Sequence, residues 1–226
     1  MCRPLVVLPS LRTMKVKFCG ITRLEDAEEA VRLGAWAIGL QHWAESPRRV
    51  DAATAVAISA AVRRRIVVVG VFVNATLDEV VRTAEDESLA MLQLHGDEGP
   101  DFCKEVARRT GCKVIKAVRV RSVADIQAAE AFRTDFHLFD AHSRARPGGT
   151  GQSFDWELLS RRRSEVPMIL AGGLRSENVA EAIAMTSPYA VDVASGVESS
   201  PGVKDHELMA AFARAAGVRP QEAVAR

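Results

Sequence analysis

From Met14 onward a short apolar run, a turn rich in glycine or polar residues and an amphipathic stretch recur in that order. The unit returns about every 25 residues, and no hairpin signature interrupts the series. A strand followed each time by a helix can pair with the next strand only in parallel, because the helix carries the chain back to the starting edge. The run at 66–73, IVVVGVFV, is β-branched almost throughout, as a strand buried on both faces requires. Further strands are expected at 15–19, 35–40, 91–95, 113–118, 136–141, 166–171 and 190–194. Helices should follow from Thr22, at 51–62, from Thr76, at 100–110 and 122–131, from near Phe154, and at 176–185 and 205–216.

Eight such units favour a closed (β/α)8 TIM barrel, expected here as a single domain over 14–217. An open doubly wound sheet is the alternative, but its G-x-G-x-x-G fingerprint is absent after the first strand. Residues 1–13 hold two prolines and no periodicity, so a disordered extension, or a true start at Met14, is expected; 218–226 reads as a tail. Thr22 and Glu25 are spaced as a capping box, as are Thr76 and Glu79. The first helix should bury Leu24, Ala27, Val31 and Gly34 on one face.

With 30 basic and 29 acidic side chains, the formal charge is +1, which gives no basis for binding nucleic acid or an anionic membrane surface. Cys2, Cys19, Cys103 and Cys112 form no C-x-x-C pair and no metal-finger spacing, so reduced thiols and a cytoplasmic location are expected. No apolar run is long enough to span a membrane.

In a barrel the strand ends share one rim, where sites are built. The first strand presents Cys19, the second is followed by Ser46-Pro47-Arg48-Arg49, the fourth ends in Gln93-Leu94-His95, and the sixth ends in Asp140. The loop after the sixth holds Gly148-Gly149-Thr150-Gly151, the seventh strand runs into Gly172-Gly173, and the eighth into Ser195-Gly196. Glycines after strands seven and eight let backbone N–H groups approach a phosphate. A sugar phosphate held there would lie between the Cys19 thiol and the Asp140 carboxyl, a pair suited to removing one proton and supplying another. Alone, Cys19 reads as a small core residue and Asp140 as a loop-fixing acceptor.

K-x-C-G-I-T, S-P-R, Q-L-H-G-D-E, L-F-D-A, G-G-T-G-x-x-F-D-W, A-G-G-L, V-D-V-A-S-G-V-E and P-G-V-K-D occur in that order over about residues 14–216. This set resembles the phosphoribosylanthranilate isomerase family of tryptophan biosynthesis. The resemblance implies a cofactor-free, metal-free Amadori rearrangement of an aminoaldose phosphate, in a monomer or homodimer. It implies that Cys19 is the general base, Asp140 the general acid and Arg48 the holder of the anthranilate carboxylate. Substrate contacts are expected from His95, Gly149, Gly172, Gly173, Ser195 and Gly196, the glycine loops holding the phosphate. Gly39-Leu40-Gln41-His42-Trp43 departs from the family, which often has aromatic residues there, and Ala194 stands where serine is common.

Two other readings remain open on the residues. One is a metal-dependent phosphosugar epimerase using His95, His142 and Asp140; the other is a barrel that binds a sugar phosphate without turning it over. Strand parity further predicts a buried Lys17–Asp192 ion pair across strands one and eight and an outward, hydrogen-bonded His137. The chemistry requires the thiol lowered toward neutrality and the acid raised. The long connection at 142–153 is expected to act as a lid.

Overall fold

The computed structural model describes residues 13–140 and 156–218. Its strands are β1 (Lys15–Cys19), β2 (Ala37–Gln41), β3 (Val67–Phe72), β4 (Met91–Leu94), β5 (Lys113–Arg119), β6 (Phe136–Asp140), β7 (Met168–Ala171) and β8 (Ala190–Val193). They pair in sequence order, all parallel, and β8 closes onto β1. The helices α1 (Leu24–Arg32), α2 (Ala52–Val62), α3 (Leu77–Asp86), α4 (Pro100–Thr110), α5 (Val123–Ala128), α6 (Val179–Thr186) and α7 (His206–Ala215) lie between and after the strands.

Closure divides the apolar residues into two cores. Side chains of one parity, among them Ala37, Val69, Met91, Ile115, Leu138 and Ile169, fill the barrel interior. Those of the other parity, such as Phe18, Val68, Phe139 and Val191, pack against the helices. Trp36, Phe136 and Tyr189 meet ring to ring at 5.1–5.8 Å beside the strand starts and stop that end of the barrel. His137 follows the outer parity as expected: it is buried, and its Nε2 lies 3.0 Å from the Phe132 carbonyl.

Local signals hold where neighbours confirm them. Thr76 and Glu79 form the reciprocal capping box at the start of α3. Pro100 opens α4, and Gly111 ends it at φ +69°, the left-handed position glycine adopts without strain. Asp205 caps α7 by accepting from Glu207 N and Leu208 N.

Four expectations fail. Thr22 does not cap α1, whose N-cap is Arg23; the Thr22 hydroxyl instead donates to the Gly202 carbonyl. Leu24 is consequently exposed at 45%, while Ala27 and Val31 are buried. Between β6 and β7 the described residues form no α-helix but a 3-10 helix, Trp156–Arg161; only Trp156 and Leu159 are buried, three residues apart, the spacing a three-residue turn superposes. An antiparallel pair, β9 (Glu198–Ser200) with β10 (Val203–Lys204), interrupts the alternation after β8. The proposed lid at 142–153, His142 and Gly149 lie outside the described residues, as do nearly all of the extension and tail.

Candidate active site

At the carboxyl ends of the strands a cavity of about 490 Å³ is lined by Cys19, Arg48, Gln93, His95, Asp140, Gly172, Gly173, Ser195 and Gly196, with Trp43, Arg119 and Asp192 beside them. Every expected site residue within the described range therefore reaches one space.

Cys19 ends β1 directly opposite Gly39 of β2. A Cβ at Gly39 would sit 2.8 Å from the thiol sulfur and 3.2 Å from the Lys17 Nζ, so this glycine makes room for both. Lys17, two residues before Cys19 and on the same side, is fully buried. Its ammonium donates to Asp192 Oδ1 at 2.9 Å and to Gln93 Oε1 at 3.0 Å. The predicted pair across the β1–β8 seam is present, and Gln93 is an addition that strand parity alone did not identify. Burial opposes the charge on Lys17, but Asp192 and then Cys19 outweigh it and hold the ammonium above the ordinary lysine range.

The thiol departs from expectation. Burial pushes Cys19 up, Lys17 pulls it down, and the Asp192 carboxylate pushes it up again. Removal from water exceeds the help of one ammonium already committed to a carboxylate. The net shift is upward, opposite to the lowering toward neutrality that the chemistry was expected to require.

Across the mouth, Gln93 Nε2 lies 2.9 Å from His95 Nδ1, and His95 Nε2 lies 3.4 Å from Asp140 Oδ2. Among the described residues no group of three His, Cys, Asp or Glu side chains is placed to share a metal ion.

Arg48 grips Glu198 with one edge of its guanidinium: Nε donates to Oε1 at 2.9 Å and Nη2 to Oε2 at 2.7 Å. This bond holds Arg48 charged. Burial disfavours the Glu198 carboxylate, yet Arg48 and Lys204 together keep it below the usual range. Lys204 Nζ donates to Glu198 Oε1 at 2.8 Å and to the Ala194 carbonyl at 3.0 Å, so the same cluster reaches the loop after β8. Arg49 is exposed. Glu198 and Lys204 were in the recognised motifs, but nothing local in the sequence pairs either with Arg48.

The loops after β7 and β8 interlock. Gly172 and Gly173 have φ of +96° and +63°, and a Cβ on Gly196 would fall 2.0 Å from the Leu174 carbonyl oxygen. That contact excludes any side chain at Gly196 without moving backbone.

The family model for N-(5'-phosphoribosyl)anthranilate isomerase matches residues 16–215 of this barrel. The chain belongs to the N-(5'-phosphoribosyl)anthranilate isomerase family. A member from Geobacter sp. (strain M21) is 47% identical over 198 residues, covering 88% of this chain and 95% of the relative. The phosphoribosyl anthranilate isomerase structure from Thermotoga maritima superposes with a TM-score of 0.80 at 38% identity, over 90% of this chain and 98% of the other. A phosphoribosyl anthranilate isomerase structure in complex with reduced 1-(o-carboxyphenylamino)-1-deoxyribulose 5-phosphate has a TM-score of 0.78 at 37% identity, with the same coverage. Of the positions where the chain departs from the family pattern, Gln41 and Trp43 of the segment 39–43 and Ala194 line the cavity. No helix among the described residues is long and apolar enough to cross a membrane.

Proposed function

We propose that this barrel isomerises N-(5'-phosphoribosyl)anthranilate to 1-(2-carboxyphenylamino)-1-deoxyribulose 5-phosphate in tryptophan biosynthesis, with Asp140 as general acid and Cys19 as general base. The observation that carries the assignment of roles is that the thiol and the carboxyl line one cavity whose third side is the interlocked pair of glycine loops. The phosphate docks on the backbone of the loops after β7 and β8, and Gly149 belongs to the same binding set. The carboxylate at the other end meets the guanidinium edge of Arg48 that Glu198 leaves open.

Asp140 delivers its proton to the ribose ring oxygen, the C1′–O bond breaks, and the anilino nitrogen becomes an iminium. That positive nitrogen acidifies the C2′ proton. Cys19, its thiol proton released to solvent beside the Lys17 ammonium, removes it as a thiolate to give the enolamine. On tautomerisation to the ketose C1′ takes a proton back from Cys19 and the C2′ hydroxyl releases one, which restores Asp140. No atom is gained or lost. A base with a raised proton affinity removes a carbon-bound proton more effectively once ionised, although less of it is ionised at neutral pH.

Cys19→Ala and Asp140→Asn should each lower kcat by roughly 10²–10⁴-fold, since each general acid or base contributes on that order. Phosphate binding, measured by titration with inorganic phosphate, should persist in both. Wild-type turnover in either variant would overturn the assignment of that residue. Loss of activity with a chelator, restored by metal, would favour the epimerase reading instead.

A further inference from the structure

A chain of side-chain contacts runs across the barrel mouth from the residue beside the base to the acid: Asp192, Lys17, Gln93, His95, Asp140. Each link fixes the polarity of the next. An ammonium can only donate, so the Gln93 atom 3.0 Å from Lys17 Nζ must be the carbonyl oxygen. Its amide nitrogen then faces His95 Nδ1 at 2.9 Å, and an amide nitrogen donates. His95 Nδ1 must therefore accept, which leaves the imidazole proton on Nε2, the nitrogen that faces Asp140.

The geometry points to Gln93 as a positioning residue that acts through His95 to keep the Asp140 proton available to substrate. This rests on the proposed role of Asp140 as general acid. With the opposite tautomer, Nε2 would present a lone pair to Asp140 and compete with the ribose ring oxygen for its proton. With Nε2–H, the imidazole cannot take that proton, and it stabilises the carboxylate once the proton has left. The 3.4 Å separation is long for a formed hydrogen bond, and such contacts tighten when a substrate fills the site. Lys17 thus serves both partners: its charge lies beside the thiol, and its direction of donation is passed through Gln93 to the acid's neighbour.

The test is long-range ¹⁵N–¹H correlation NMR on ¹⁵N-labelled protein, with the His95 signals assigned by their loss in His95→Asn. Wild type should show His95 protonated at Nε2 and bare at Nδ1. Gln93→Glu keeps a partner for Lys17 but substitutes an atom that only accepts, so the His95 proton should move to Nδ1. In that variant kcat should fall at least tenfold, with KM within threefold of wild type. Nδ1–H in the wild-type protein would overturn the proposal without any variant. So would retention of Nε2–H in Gln93→Glu, or a change confined to KM. If Asp140→Asn retained full turnover, the general-acid assignment would fail on its own. If it abolished turnover while Gln93→Glu retained it, only the positioning role would be lost.

Discussion

Replacing Lys17 by methionine tests the energetics of the charged barrel interior directly. The side chain is similar in length, so the volume is nearly kept and only the charge and its donors are lost. What remains is the Asp192 carboxylate, whose side chain is 9% exposed, and the Gln93 amide oxygen, both stripped of the ammonium that satisfied them at 2.9 and 3.0 Å. Breaking a buried pair by removing one partner costs about 3–5 kcal/mol. At about 2–4 °C per kcal/mol for a domain of this size, the melting temperature should fall by roughly 6–20 °C. Removing the carboxylate as well, in Lys17→Met with Asp192→Leu, should recover most of the loss, because an apolar pair in place of a buried ion pair is often neutral. A residue of about 1–3 kcal/mol should persist from the orphaned Gln93 oxygen. The assay is reversible urea unfolding of both variants, read as a shift in midpoint at constant slope. The sign in pH follows from the raised ammonium: its contribution is complete below the ordinary lysine value of 10.5 and is lost only as pH rises through the higher folded value. The lysine's share of the gap between wild type and Lys17→Met should therefore stay constant from neutrality to the ordinary value of 10.5 and shrink above it. A single-variant loss under about 1 kcal/mol, or a double variant no more stable than the single one, would refute the reasoning.

Gly196→Ala should raise KM tenfold or more, because its Cβ cannot coexist with the Leu174 carbonyl and the two loops must part; an unchanged KM would separate that contact from phosphate binding. Arg48→Lys should lower kcat/KM by at least roughly tenfold, since an ammonium cannot hold Glu198 and a carboxylate on two edges, whereas Arg49→Lys should match wild type. Equal, small effects would reduce both to loop charges. Burial pushes the Cys103 thiol up to about 11 from an ordinary 9.0. The unfolded chain ionises first, so stability should decline between those values, and Cys103→Ala should flatten that part of a denaturation-versus-pH curve.

The barrel was legible because its signal is repetition: eight apolar runs of strand length, separated by helical stretches, leave few topologies open. The Lys17–Asp192 pair followed from parity plus closure, two rules that need no coordinates. Contacts set by tertiary registry were not legible. Thr22 has a complete capping-box spacing, yet its hydroxyl goes to Gly202, 180 residues away. Glu198 is 150 residues from Arg48, and its role appears only when β9 folds back beside the loop after β2. The polarity passed from Lys17 through Gln93 needs β1 and β4 to face across the interior, a relation with no local trace. The raised Cys19 thiol reflects the balance between lost hydration and one shared ammonium, and sequence names the partners without giving the depth of burial.

The bond from Arg48 to Glu198, and on through Lys204 to the Ala194 carbonyl, makes the two ends of the proposed ligand site parts of one rigid gauge. With Arg48 as the proposed holder of the carboxylate and Ala194 beside the loop proposed to hold the phosphate, these bonds tie the two proposed ends together. Such a gauge discriminates by length, rejecting anions whose charged ends are spaced too closely or too far apart. It also implies that substitutions at the two ends will be epistatic. A change at Arg48 alters how loop 194–196 is held, so the pair of changes will not act as the sum of its parts.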